Sequence, residues 1–317
     1  MFPDLPPLLA LVLGIAMLVK GADRLVDGGV RIARHLGISP VMVGLTIVAW
    51  GTSLPELVIT TMAAGEGRPG IALGSVLGSN IANIGLVLGA TALLLPSVLG
   101  SAMRAREQGW LFASIFALWA VLQWESGVGR LSGGLLIALF IAHNLHLLKS
   151  AGPGEREEPP PSGEGVMRRA VIMVLVACAV VALGAHLTVS GAESIARSFG
   201  VSDRVIGLTV VAIGTSLPEL AAGIASALKG QKEIGLGNVV GSNVFNVLVA
   251  VGAAGLVRPF GSSITDAALV EKTLGIDLPL VLAFSLVAVL VPRLGPAGRW
   301  KGAVLLMGYA AFLWIQF

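Results

Sequence analysis

The sequence predicts an all-α membrane protein: ten transmembrane helices arranged as two inverted five-helix repeats, with proline-broken helices at their centre. Three observations predict it. Of the 317 residues, 55% are hydrophobic and only 12% charged, with a mean hydropathy of +0.89, whereas a soluble domain carries about a quarter charged residues. Apolar runs long enough to cross a bilayer, about 17 to 25 residues each, fall in two sets of five. Finally, the stretch GLTIVAWGTSLPEL at Gly44 returns as GLTVVAIGTSLPEL at Gly207, and IALGSVLGSNIANIGLVLG at Ile71 returns as IGLGNVVGSNVFNVLVAVG at Ile234, at a constant offset of 163. Each half is therefore a copy of one unit. Five helices is an odd number, so the second copy enters the membrane from the opposite side, as in secondary transporters.

In chain order, the first set of runs lies near 6–22, 41–64, 71–95, 108–124 and 131–149, and the second near 168–190, 204–228, 234–257, 276–292 and 299–317. Leu8 to Val19 has the length of a signal peptide, but MFPDLPP before it holds an acid and no base, so it reads as a retained helix. Residues 1–149 form the first repeat, with its motif at 44–89, and residues 167–317 the second, with its motif at 207–252. Between them, SAGPGEREEPPPSGEGV at 150–166 is too rich in proline, glycine and charge to pack and reads as a linker. Its acids lack the alternation and the glycine of a calcium-binding loop.

Lysine and arginine accumulate in cytoplasmic loops. With the N-terminus outside, fifteen fall on inner loops and helix ends and six on outer ones. Both termini are thus expected outside a plasma membrane, with the linker in the cytoplasm. A net charge of +3 without a basic cluster gives no nucleic-acid footprint. The single cysteine, Cys178, can form no internal disulfide and reads as a small buried hydrophobe.

Of the eighteen acidic residues, all but Glu56 and Glu219 fall in loops or near helix ends. A carboxylate at bilayer depth costs several kcal/mol unless it is paired, neutralised or hydrated, and no lysine or arginine sits at comparable depth. A bound cation is the simplest partner; a structural kink holding a protonated acid is the alternative, weakened by the recurrence of seven identical residues. Pro55 and Pro218 lack the N–H that would bond the carbonyls of Gly51 and Gly214, and they turn the preceding leucine away from helical geometry. Thr52, Ser53, Thr215 and Ser216 add hydroxyl oxygens within one turn of each glutamate. Carboxylate, hydroxyl and carbonyl oxygens together are hard ligands, suited to calcium and sodium rather than zinc or copper.

The second block supplies neutral groups. Ser79 and Asn83, like Ser242 and Asn246, are four apart and share a helix face, whereas Asn80 and Asn243 fall off it. The asparagines can serve either the ion or hydrogen bonds between helices. Gly74, Gly78, Gly237 and Gly241 have the small-xxx-small spacing of close helix packing. His143 and His146 could form half a transition-metal site, but with no acid or cysteine beside them they read as interfacial polar residues; His186 has no visible partner.

These motifs resemble the alpha repeats of the sodium/calcium exchanger family, in the cation/calcium antiporter superfamily, and the chain resembles a prokaryotic-type member. The resemblance covers both halves and implies a ten-helix antiporter that exchanges calcium for sodium by alternating access, with no enzymatic activity and no cofactor. Carried over residue by residue, it implies ion sites lined by Glu56, Thr52, Ser53, Ser79, Asn83 and the carbonyl of Ala49, then by Glu219, Thr215, Ser216, Ser242, Asn246 and the carbonyl of Ala212. Two departures stand out. Ser75 occupies the place of Asn238, and Asn246 stands where some members, including potassium-dependent ones, have aspartate. The short linker leaves no room for the large calcium-sensing domains of animal exchangers.

Three other readings compete. Protons could replace sodium in an antiporter of the same fold; oxygen-lined helices could form a passive channel; two acids could activate water in an intramembrane hydrolase, for which no accompanying signature is visible. The first and sixth helices, outside the motif pairs, are candidates for the moving element.

Overall fold

The computed structural model describes residues 5–99, 105–149, 165–200, 212–261 and 264–316, and among them every regular element is helical. In chain order they are α1 Pro7–Leu36, α2 Pro40–Thr52, α3 Leu54–Gly65, α4 Pro69–Leu94, α5 Ala105–Glu125, α6 Arg130–Lys149, α7 Val166–Ser198, α8 Leu217–Leu228, α9 Lys232–Val257, α10 Ala267–Arg293 and α11 Arg299–Gln316. The short helix Ala212–Gly214 precedes α8. Most of the expected linker, and the start of the expected seventh helix with the first residues of its motif, lie outside the described residues.

Prolines open several of these helices. Pro7, Pro40, Pro55, Pro69 and Pro218 all occupy the first or second helical position, where the missing N–H has no partner to lose. Among the described residues, five helices are long and apolar enough to cross a membrane: α4, α6, α7, α9 and α10. The pair α2 and α3, bent by 47° at Ser53, makes a sixth if taken as one span.

α1 is longer than the apolar run that announces it. Lys20, Asp23 and Arg24 mark a membrane boundary in the sequence, but they do not stop the helix. Beyond them Ala22, Leu25, Val26, Gly29, Ile32 and Ala33 are buried at helical spacing, while Arg24, Arg31 and Arg34 face outward. The helix ends only at Gly37, whose φ of 65° suits a residue without a side chain. α7 likewise runs past the expected boundary near 190 to Ser198, with Gly200 at φ 77° just beyond.

Large apolar side chains cover the outside: Ile141, Leu145 and Leu148 on α6, and Ile172, Leu175 and Val176 on α7, are all exposed. In water so much exposed apolar surface would associate; in a bilayer it faces solvent of its own kind. α4 and α9 hold the centre, with 72% and 83% of their apolar windows buried against 28% for α6. α1 and α7 pack along each other through glycines: a Cβ at Gly184 would lie 2.8 Å from the Leu18 nitrogen, and one at Gly191 2.6 Å from the Leu11 nitrogen. α2 meets α9 in the same way, since a Cβ at Gly44 would stand 2.6 Å from the Ile234 carbonyl oxygen and one at Gly237 2.7 Å from that of Val41.

Gly237 and Gly241 therefore do the packing expected of them. Gly74 and Gly78 meet no described atom within 4 Å; Leu208, at the same offset from Leu45, lies outside the described residues.

Candidate functional site

The site begins at two breaks with the same backbone. Ser53 separates α2 from α3 with φ −88° and ψ 4°, and Ser216 precedes α8 with φ −90° and ψ 5°. Each break places a proline and then a glutamate in the first turn of the new helix, so Glu56 and Glu219 sit at the positive end of a helix. That end contributes about 0.3–1 kcal/mol toward a carboxylate. Burial costs it several, so the helix alone does not offset the charge.

Both glutamates are fully buried. Ser53 Oγ donates to Glu219 Oε1 at 2.8 Å, which ties the first break to the second acid. Thr52 Oγ1 lies 3.5 Å from Ser242 Oγ, and Ser79 Oγ lies 3.4 Å from Thr215 Oγ1. These contacts cross between the halves and bring the two sequence blocks into one place.

The carbonyl of Ala49 accepts from Ser53 N at 3.0 Å, from Thr52 Oγ1 at 3.3 Å and from Ser242 Oγ at 3.5 Å. It therefore stands beside the site with its hydroxyl neighbours already bonded to it. Ala212 opens the short helix before the second break.

What remains is a set of oxygens with nothing to bond. Both Oε atoms of Glu56, Oε2 of Glu219, Oδ1 of Asn83, Oδ1 of Asn246 and the hydroxyls of Ser75 and Ser216 are buried without a hydrogen-bond partner. Buried polar atoms are almost always paired, so unpaired oxygens on the two acids and on residues of both motif blocks leave room for a bound positive group. Among the described residues no ion pair reaches either glutamate: Arg68 pairs with Glu66, and Lys229 with Asp23 and Asp27. Nor do the described residues contain a cluster of three or more His, Cys, Asp or Glu side chains, which a transition metal would favour. Calcium takes 6–8 oxygens and sodium the same type of ligand, and the donor set fits that class.

One feature escapes the sequence reading. Asn238, opposite Ser75 in the repeat, accepts from Thr52 Oγ1 at 3.2 Å and belongs to the same wall; the broken symmetry at that position was its only signal. Asn80 and Asn243 meet at the crossing of α4 and α9, taking the helix-to-helix role that was one of the two open to the asparagines. Each helix also widens into a π-helical turn beginning at Asn83 or Asn246, a distortion frequent at functional sites. The first glycine of each motif has a packing duty as well: a Cβ at Gly51 would run into the Cys178 sulfur, and one at Gly214 into Val189, both on α7. Cys178 is buried there, as expected.

His143 packs inside the protein instead of standing open at its surface. It is buried, its ring 4.6 Å from that of Trp110 and 6.3 Å from that of Phe140, while His146 lies 6.1 Å from Trp110. The fifth expected helix lies against the fourth there, and the imidazole spends its apolar face on an aromatic cluster.

Outside the core, Lys229 closes α8 by donating to the Asp23 carbonyl at 3.0 Å and by pairing with the carboxylates of Asp23 and Asp27 on α1. The hydrogen bond from Lys229 holds the Asp23 carboxyl below the usual carboxylate range. For Lys229 itself partial burial pulls downward, but the bonds to Asp23 and Asp27 outweigh it and raise the ammonium.

The chain matches the family described as sodium/calcium exchanger protein over residues 6–149 and again over 169–317. It is 37% identical over 316 residues to the putative antiporter CaxA of Alkalimonas amylolytica, covering 96% of this chain and 97% of the relative. It is 33% identical to the sodium/calcium exchanger MaX1 of Methanosarcina acetivorans, covering 98% of each. Among solved structures, the sodium-calcium exchanger NCX_Mj soaked with 10 mM Na+ and zero Ca2+ superposes with a TM-score of 0.78 at 32% identity, over 96% of this chain and 97% of that one.

Proposed function

This chain belongs to the sodium/calcium exchanger protein family and is a membrane antiporter, not an enzyme; from that premise we propose that it exchanges Ca2+ for Na+ at one central site built on Glu56 and Glu219. The observation that carries the reading is that three of the four carboxylate oxygens of those two acids are buried without a hydrogen-bond partner, as are the Oδ1 atoms of Asn83 and Asn246. With both acids ionised the site has a charge of −2, which one calcium ion or several sodium ions can satisfy but not both together. Competition for shared oxygens makes the transport an exchange.

The ligands are the carboxylates with Thr52, Ser53, Ser79, Asn83 and the Ala49 carbonyl, and their counterparts Thr215, Ser216, Ser242, Asn246 and the Ala212 carbonyl. Thr52 and Ser242, or Ser79 and Thr215, touch across the repeats, so an ion held by one half is felt by the other. A site without cations leaves uncompensated buried charge, which penalises crossing the membrane empty and suppresses leak.

The architecture in this proposal is ten spans in two inverted repeats, 1–149 and 167–317, joined by a cytoplasmic linker at 150–166, with both termini outside the plasma membrane. α1 and α7 are the moving pair. They pack closely on each other through glycines, and the Lys229 cluster links α1 to α8. The test is radioactive calcium uptake into sodium-loaded vesicles at clamped pH. Uptake should require the sodium gradient and should be lost in Glu56→Gln and Glu219→Gln; uptake driven by a pH gradient alone would replace sodium by protons, and ohmic flux would replace exchange by a pore.

A further inference from the structure

Two main-chain carbonyls decide the orientation of four side-chain amides at the crossing of α4 and α9. Asn80 Nδ2 donates to the Asn243 carbonyl at 3.2 Å, and Asn243 Nδ2 donates to the Asn80 carbonyl at 3.3 Å. A carbonyl oxygen only accepts, so each of these amides must turn its nitrogen toward the partner backbone and its oxygen away. Each oxygen is then taken by an asparagine of the opposite half. Asn80 Oδ1 accepts from Asn246 Nδ2 at 3.2 Å, and Asn243 Oδ1 accepts from Asn83 Nδ2 at 3.0 Å. With their nitrogens turned toward the opposite asparagine, Asn83 and Asn246 keep their Oδ1 atoms on the other side of the amide, buried without a partner.

We propose that Asn80 and Asn243 are positioning residues for ion binding: each locks the amide of the opposite repeat's asparagine so that its carbonyl oxygen, and not its N–H, faces the cation. This rests on the reading above that Asn83 and Asn246 line the ion site. A reversed amide would remove one ligand oxygen and present a positive dipole end to a cation. Because the orientation is inherited from the backbone, it holds through the transport cycle as long as α4 and α9 stay together. The pairing is also crosswise, Asn80 with Asn246 and Asn243 with Asn83, which distinguishes it from general packing.

The test is calcium binding to the purified full-length protein, read as the dissociation constant for radioactive calcium, in alanine variants taken singly and in pairs. Asn80→Ala and Asn243→Ala should each weaken binding about 10- to 100-fold, the usual effect of losing a group that orients a metal ligand. In an Asn246→Ala background, Asn80→Ala should add little; in an Asn83→Ala background it should keep its full effect. Asn243→Ala should show the reverse. Equal effects in both backgrounds would reduce Asn80 and Asn243 to packing residues and overturn the inference while leaving the site intact. Unchanged binding in Asn83→Ala and Asn246→Ala would instead remove those residues from the site and overturn both readings. Asn80→Leu and Asn243→Leu, which keep bulk and lose the amide, repeat the comparison if the alanine variants do not fold.

Discussion

Replacing Glu56 with glutamine should stabilise the protein in the absence of cations and destabilise it, relative to the parent, in their presence. Both Oε atoms of Glu56 are buried and unpaired, and no lysine or arginine among the described residues forms an ion pair with it. An uncompensated buried carboxylate is costly, so a neutral side chain of the same shape should gain about 1–2 kcal/mol in chelated, sodium-free buffer. Calcium reverses the order. At a concentration 100 times its dissociation constant it should stabilise the parent by about 2.7 kcal/mol, whereas a site weakened 100-fold gains only about 0.4 kcal/mol at the same concentration. Thermal unfolding in detergent, with and without calcium, measures both. The melting curves of parent and variant should exchange order when calcium is added. If Glu56→Gln lowers the melting temperature in chelator, or if calcium raises it as much as in the parent, the unpaired carboxylate is not what the cation neutralises.

Ser53→Ala removes the hydrogen bond to Glu219 Oε1; a bond to a charged group contributes about 1.5–3 kcal/mol, so the calcium concentration for half-maximal uptake should shift by at least about tenfold. Gly241→Ala places a methyl group against the Leu45 carbonyl and the Ala49 side chain and should lower stability by about 1–3 kcal/mol, whereas Gly134→Ala on α6, with no described atom within 4 Å, should be neutral or stabilising in the same melting assay. Lys229→Met should cost no more than about 1 kcal/mol, since the partners are partly exposed. The pH dependence of that link has a definite sign. Asp23 is depressed, so its contribution is present above the unfolded carboxylate range and is lost as pH falls through the lowered value; Lys229 is raised, so its contribution is present below the ordinary lysine value and is lost as pH rises through the higher one. Parent minus Lys229→Met stability should therefore be flat through neutral pH and shrink at both extremes.

How much of this was legible in the sequence differs from residue to residue. Glu56 and Glu219 stood out because acids at bilayer depth are costly, and the prolines before them announced breaks that the backbone at Ser53 and Ser216 reproduces almost identically. The helix lengths were less legible. Charges near residue 22 mark where a membrane surface should lie, but a helix whose charges face outward does not end there, and α1 continues to Leu36.

The asparagines show a different limit. Helical spacing groups Asn83 and Asn246 with Ser79 and Ser242 and assigns Asn80 and Asn243 to another face, without saying what that face meets. Only the crossing of α4 and α9 brings the four amides together. The same holds for His143, whose burial depends on where Trp110 stands, and for Asn238, whose bond to Thr52 spans 186 residues. Local pattern fixes which side chains share a face; contacts between distant segments decide what that face does.

Strontium or calcium anomalous diffraction from crystals soaked with and without sodium tests the central claim most directly. One strong peak within about 2.3–2.6 Å of carboxylate oxygens from both Glu56 and Glu219, fading as sodium rises, is the predicted result. Occupancy elsewhere, with the two carboxylates bare at saturating divalent ion, would contradict it.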